Sequence, residues 1–319
     1  MPSEPAVRRS LSATDAARDA VDLVKRQLFP FQFDRWFALG FVAFLDQCGR
    51  TGGGVNFPGG GGGSPGGGGD TDKPDLSGAS EWISAHLGLI VGIAAVALVV
   101  VVGLTALILW LNSRGVFMYL DNVATGRSDV SRPWREHKEK AASYFAWSFG
   151  VSLAALTGVL ILLVPLLWLG LSLFTGAAGA GAVVGLVATV LVFLFFVIVL
   201  SLFSVLLRDF AAPLQMHLGV PCGQALGTAW GLVTGNAGTF VAYVALKIVF
   251  TIGAGIVALV AGCLTCCLGF LPVLSHTILQ PLLYFERAWS LFILRQAGYD
   301  VFPAPAAPAG RFTPPLLPR

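Results

Sequence analysis

The stretch "AASYFAWSFGVSLAALTGVLILLVPLLWLGLSLFTGAAGAGAVVGLVATVLVFLFFVIVLSLFSVLL", Ala141 to Leu207, runs for 67 residues without one Asp, Glu, Lys or Arg. A bilayer core takes roughly 20 apolar residues of helix, so this run holds two spans. They are divided near its middle by "TGAAGAGA" (Thr175 to Ala182), small residues with little packing value and high turn tolerance. Outward from this hairpin the pattern repeats. Leu87 to Leu111, Phe210 to Leu246 and Ile248 to Phe285 are also uncharged, with Lys247 alone separating the last two. The predicted spans lie near 84–111, 144–173, 182–207, 238–262 and 265–286. A sixth, shorter candidate is "RWFALGFVAFLDQCG" (Arg35 to Gly49), which with "LFPFQF" in front gives a first span near 30–48.

Composition agrees. Of 319 residues, 55% are hydrophobic and 12% charged, with a mean hydropathy of +0.78, whereas a soluble domain has about a quarter of its residues charged. The expected fold class is all-α, a polytopic transmembrane bundle of about six spans. The net charge of +3 is too small to argue for nucleic acid. Residues 1 to 27 are polar and lack an apolar h-region, so no cleaved signal peptide is expected.

Six spans place both termini on one side, and the basic residues test which. Arg8, Arg9, Arg18, Lys25, Arg26 and Arg35 precede or begin the first span, and Arg114, Arg127, Arg132, Arg135, Lys138 and Lys140 lie between the second and third. With Arg208, Arg287, Arg295, Arg311 and Arg319 they make 17 of the 20 Lys and Arg on one face, against Arg50 and Lys73 on the other. Basic loops stay cytoplasmic, so both termini are expected in the cytoplasm, with the protein in the plasma (inner) membrane of a prokaryote.

The domain plan follows. Residues 1–29 form a cytoplasmic amphipathic segment, with Ser12 and Asp15 at capping-box spacing. Its apolar face is read as Ala17, Val21, Val24 and Leu28, with Asp22 and Arg26 paired at i,i+4. Residues 30–300 form one membrane domain, with a disordered extracytoplasmic Gly-rich loop over 49–77. Residues 301–319 are a disordered Pro-rich cytoplasmic tail. Within the cytoplasmic connection, Val116, Phe117, Leu120 and Val123 continue the second span at helical spacing until a turn at Gly126, and Pro133 suits the first turn of the next helix. Trp134, Tyr144 and Trp147 are read as interfacial anchors.

Certain strings near the span ends carry a resemblance. "FPFQFDRWFALGFVAFLDQCG", "RGVFMYLDNVATGRSDVSRPWREHKEKAASYFAW", "RDFAAPLQMHLGVPCGQALG" and "LPVLSHTILQPLLYFERAWSLFILRQAGYDVFP" together resemble an uncharacterised family of bacterial and archaeal polytopic membrane proteins, a domain of unknown function. That family is distantly like the membrane domain beside some glycerophosphodiester phosphodiesterases. The resemblance covers most of residues 25 to 303 and implies a six-helix membrane domain without a defined activity.

Ionisable groups within a membrane are costly and often functional. Lys247 is the clearest case, read either as an ion or substrate contact or as a snorkelling residue or structural partner of Glu286 or Asp209. His276 and Gln280, flanked by Pro272 and Pro281, either line a cavity or bond between helices. Glu286 is retained as a contact candidate, although it and Arg287 are expected at the cytoplasmic edge as anchors. Asp34 and Asp46 flank the first span at opposite ends and cannot cooperate with each other. A disulfide between Cys48 and Cys263, Cys266 or Cys267 would tie the first and fifth spans on the oxidising face; the other reading is small apolar packing. No Walker, His-Glu-x-x-His or nucleophile-elbow motif is present, so no catalytic residue, metal or cofactor is assigned and an enzyme is not expected. The expected partners are the lipid bilayer and other membrane proteins or a second copy. The expected function is a non-catalytic scaffold, assembly or lipid-organising protein, with a small transporter or permease built around Lys247 and His276 as the alternative.

Overall fold

The computed structural model describes residues 11–48, 85–174, 179–265 and 271–302. The Gly-rich stretch 51–70, the first residues of the "TGAAGAGA" turn, Cys266, Cys267 and nearly all of the Pro-rich tail lie outside the described residues.

Among those described, every regular element is a helix. The elements are α1 (Ala13–Leu28), α2 (Phe33–Gln47), α3 (Leu87–Thr125), α4 (Ser131–Glu136), α5 (Lys138–Phe174), α6 (Ala180–Val205), a π-helical turn (Leu206–Ala211), α7 (Ala212–Leu218), α8 (Cys222–Gly235), α9 (Ala237–Leu264), α10 (Pro272–Ile278) and α11 (Gln280–Gln296). Four segments are long and apolar enough to cross a membrane: Leu87–Thr125, Lys138–Ser172, Ala180–Leu218 and Ala237–Leu264. The region of the first predicted span is the 15-residue α2, and that of the sixth is the pair α10 and α11, interrupted at Leu279.

The molecule has two ends of different character. In α3 the residues up to Trp110 are mostly exposed, whereas from Asn112 to Ala124 all but Arg114 are buried. The same division runs through α6, which buries none of its residues, and the π turn and α7, which bury ten in succession from Leu206 to Gln215. The exposed apolar lengths match lipid, and the buried lengths meet each other. There α1 packs on α11, α2 lies between α3 and α10, and α8 covers the π turn. One cluster of buried residues joins all of these elements except α10, with Phe117, Tyr119, Phe210, Tyr284 and Trp289 among its largest members.

Two glycines permit the approach of α2. A Cβ on Gly115 would overlap the backbone of Leu45 and Asp46, and one on Gly40 would overlap Thr277. At the far end of α3, Gly126 stops the helix with φ +69°, and a Cβ there would strike the Gln27 amide.

The N-terminal helix departs from its predicted face. Ser12 caps it, its hydroxyl accepting from the Asp15 N–H at 3.2 Å, but the buried face is Ala13, Ala16, Ala20, Leu23, Val24 and Leu28, with Val21 outside. Alanines on this face let α11 come close enough for the Trp289 indole to donate to the Ala13 carbonyl at 2.8 Å. Arg26 donates to the Asp22 backbone carbonyl. Tyr144, expected as an interfacial anchor, is buried edge-on against Phe117 at 5.8 Å. Trp110 and Trp134 instead sandwich Arg114, with ring centres 5.7 and 5.3 Å from its guanidinium carbon.

Candidate functional site

Six ionisable side chains from four elements meet where the exposed lengths of α3 and α6 give way to buried ones. Asp46, at the last turn of α2, is fully buried and lies between two arginines. Arg287 of α11 donates to its Oδ1 at 2.5 Å, and Arg208 of the π turn donates to its Oδ2. Arg208 also reaches Glu286 at 3.3 Å and Asp209 at 3.7 Å. Lys247 of α9 pairs with Asp209 and lies 3.1 Å from Glu286. Tyr243, one turn before Lys247, donates to Asp209 at 2.9 Å. Asp46, Asp209 and Glu286 thus face Arg208, Arg287 and Lys247, so the formal charges sum to zero.

Local backbone chemistry makes the meeting possible. A π turn bonds i to i+5 and adds one residue to the helix, a device frequent at functional sites. Here it carries Arg208 and Asp209 inward together, toward different partners. The added residue disturbs the regular helical pairing, and the Arg208 carbonyl accepts from Arg287 at 3.0 Å. On α2 the terminal carbonyls that a helix leaves without intrahelical donors are taken by Asn112, whose amide donates to Leu45 at 3.2 Å and Asp46 at 2.7 Å. The aspartate is held by its backbone as well as by its carboxylate.

Of the residues singled out from sequence, Lys247 and Glu286 come together in this network. Gln280 is buried and donates to the Tyr119 hydroxyl at 2.9 Å. His276 sits on α10, its ring edge-on to Phe44 at 5.6 Å and its Nδ1 3.2 Å from the Ser275 hydroxyl. Glu286 and Arg287, expected as edge anchors, are both buried and turned inward by their partners on α2, the π turn and α9. Sequence reasoning missed Asp46, Arg208 and Arg287 as members. A signal was present, because Arg208–Asp209 and Glu286–Arg287 are adjacent opposite charges. The positive-inside rule accounts for arginines there but not for acids, which contribute little to it.

A second cluster lies at the turn after α3. Ligand-capable atoms of Asp121, Glu136 and His137 fall within 4.8 Å of one another. The Arg132 guanidinium bridges two of these groups, 2.5 Å from Asp121 and 2.8 Å from Glu136, with Asp129 at 3.5 Å. Partial burial alone would lower the Arg132 pKa; Asp121 and Glu136 outweigh it and raise it. Between α3 and α5, on the lipid-facing side, is a largely apolar cleft of about 290 Å³ whose polar lining is Thr105 and Ser152. Cys48 and Cys263 are free thiols, as is Cys222, whose pKa burial pushes up to about 12.

A family model of unknown function, DUF7544, matches residues 11–300. The chain belongs to this family. No curated protein and no solved structure matches it. For this DUF7544 member the family match reaches from α1 through α11, so all six charges of the network lie inside the matched region.

Proposed function

We propose that this protein is a non-catalytic integral membrane protein that serves as a scaffold or assembly factor, with six membrane segments and both termini in the cytoplasm of a prokaryotic cell. In this reading α2 and the α10–α11 pair are the first and sixth segments, and the loop holding Gly60 is extracytoplasmic. The observation that supports it is the closure of the charge network. Each cation is answered by a carboxylate inside the fold, and Lys247 is held by Asp209, Glu286 and Tyr243. Such a network fixes the relative positions of four elements and gives partners a rigid cytoplasmic end to assemble on.

A small transporter is the second reading. It is favoured by the ionisable groups on apolar helices and by the π turn that carries two of them. Proteoliposomes separate the two. On a solid-supported membrane, the scaffold reading expects no current above empty liposomes for protons, sodium, potassium, phosphate or amino acids. A solute-driven current that Lys247→Met abolishes would overturn the scaffold reading in favour of transport.

A further inference from the structure

Helix α2 buries Trp36, Leu39, Val42 and Ala43 against its neighbours and turns a row of phenylalanines outward. Phe33, Phe37 and Phe41 follow at i, i+4 and i+8 and are 56%, 45% and 38% exposed. Phe29 and Phe31 extend the row, and no charged residue lies between Arg35 and Asp46. The row lies on the packed side of the charge network. Asp46 meets α3 beside Asn112, while Arg35 donates to the Gly126 carbonyl at the opposite end of the buried part of α3. Helix α9 repeats the arrangement. Val241, 69% exposed, precedes Lys247, and Leu246, Ile248 and Val249 surround it while it is itself buried. On two elements, apolar surface therefore continues past the network toward the end that carries α1 and the end of α11.

From these faces we infer that bilayer hydrocarbon covers the phenylalanine row of α2 and the start of α9, so that the six-charge network lies inside the membrane rather than at its cytoplasmic edge. At about 1.5 Å of rise per residue, the network is about 9 Å past Val241 along α9 and about 20 Å past Phe33 along α2. Acyl chains are the occupant that fits, because the α9 face is continuous with the exposed apolar residues Ile252, Ile256 and Val260. Water would leave a row of phenylalanines unsatisfied, since soluble surfaces rarely expose contiguous apolar patches of that kind. The depth also explains the charge balance. An ionised group in hydrocarbon is tolerated when it faces the interior and is paired, and three acids opposite three bases meet that condition.

The wild-type protein in phospholipid vesicles tests this with a diazirine that partitions into acyl chains and is read by peptide mass spectrometry. This measurement is independent of whether the protein scaffolds or transports. Cleavage at Arg26, Arg35 and Arg50 isolates Gln27–Arg35 and Trp36–Arg50, which carry the row. The expected result is carbene adducts on Phe33, Phe37 and Phe41 as dense as those on the lipid-facing Val164 and Leu167. Adducts as sparse as those on Glu136–Lys138 would overturn the inference. So would adducts that appear only at high lipid-to-protein ratio, because a second copy would then be the cover.

Discussion

Lys247 lies between Asp209 and Glu286 with Tyr243 beside it, and removing it would leave two carboxylates sharing a buried space with one cation fewer. Breaking a buried pair from one side costs about 3–5 kcal/mol, because the partner's charge is left uncompensated. Lys247→Met keeps the aliphatic stem and removes the charge, so thermal unfolding in detergent should begin well below that of the wild type. Restoring neutrality with Lys247→Met/Glu286→Gln should recover part of the loss. The pair should be non-additive by about 0.5–3 kcal/mol, the range for residues in one network. A single variant that melts with the wild type would refute the claim that the network holds the fold. His276 and Gln280 make other contacts at this scale: His276 lies beside the Ser275 hydroxyl, and Gln280 donates across to Tyr119 on α3.

At the scale of elements, close approach of backbones decides which charges meet. Gly115 lets the end of α2 lie against α3, and that contact sets where Asp46 can be reached by Arg208 and Arg287. Gly115→Val would force α2 outward, an overpacking whose cost is typically about 1–3 kcal/mol and rises when backbone must move. Gly103, on the exposed length of the same helix, has open space where a Cβ would sit. Gly103→Val should therefore leave the melting temperature within a degree or two, while Gly115→Val lowers it and broadens elution on gel filtration. Equal effects at both positions would show that the contact is unimportant. The long elements were legible in the sequence because uncharged length is a direct physical requirement of lipid. The turn at Gly126 was legible because only glycine adopts that left-handed backbone freely. The π turn was not legible, since "LLRDFA" continues an apolar helix and nothing local marks the extra residue. The inward face of α1 was legible at Val24 and Leu28 but not at Ala13, Ala16 and Ala20, because alanines carry little hydrophobic signal.

Over the whole molecule, α1 and α11 pack together, so the first and last described helices lie at one end of the fold. That contact was not legible, because it joins residues far apart in sequence, whereas the charge asymmetry that assigns the end to a compartment was. The two arguments are independent, and one experiment tests both. Reporter tags fused before Met1 and after Arg319 should both be digested by protease added to inside-out membrane vesicles and both survive in right-side-out ones. A cysteine placed at Gly60, with the five native cysteines replaced, should then react with an impermeant maleimide on intact cells. Tags on opposite sides would contradict the α1–α11 contact, since those helices could not meet across a bilayer. Tags together on the outside would leave that contact standing and refute the assignment from charge. The expected pattern of inside tags and an outside Gly60 is the one in which the basic residues around α4 face the cytoplasm.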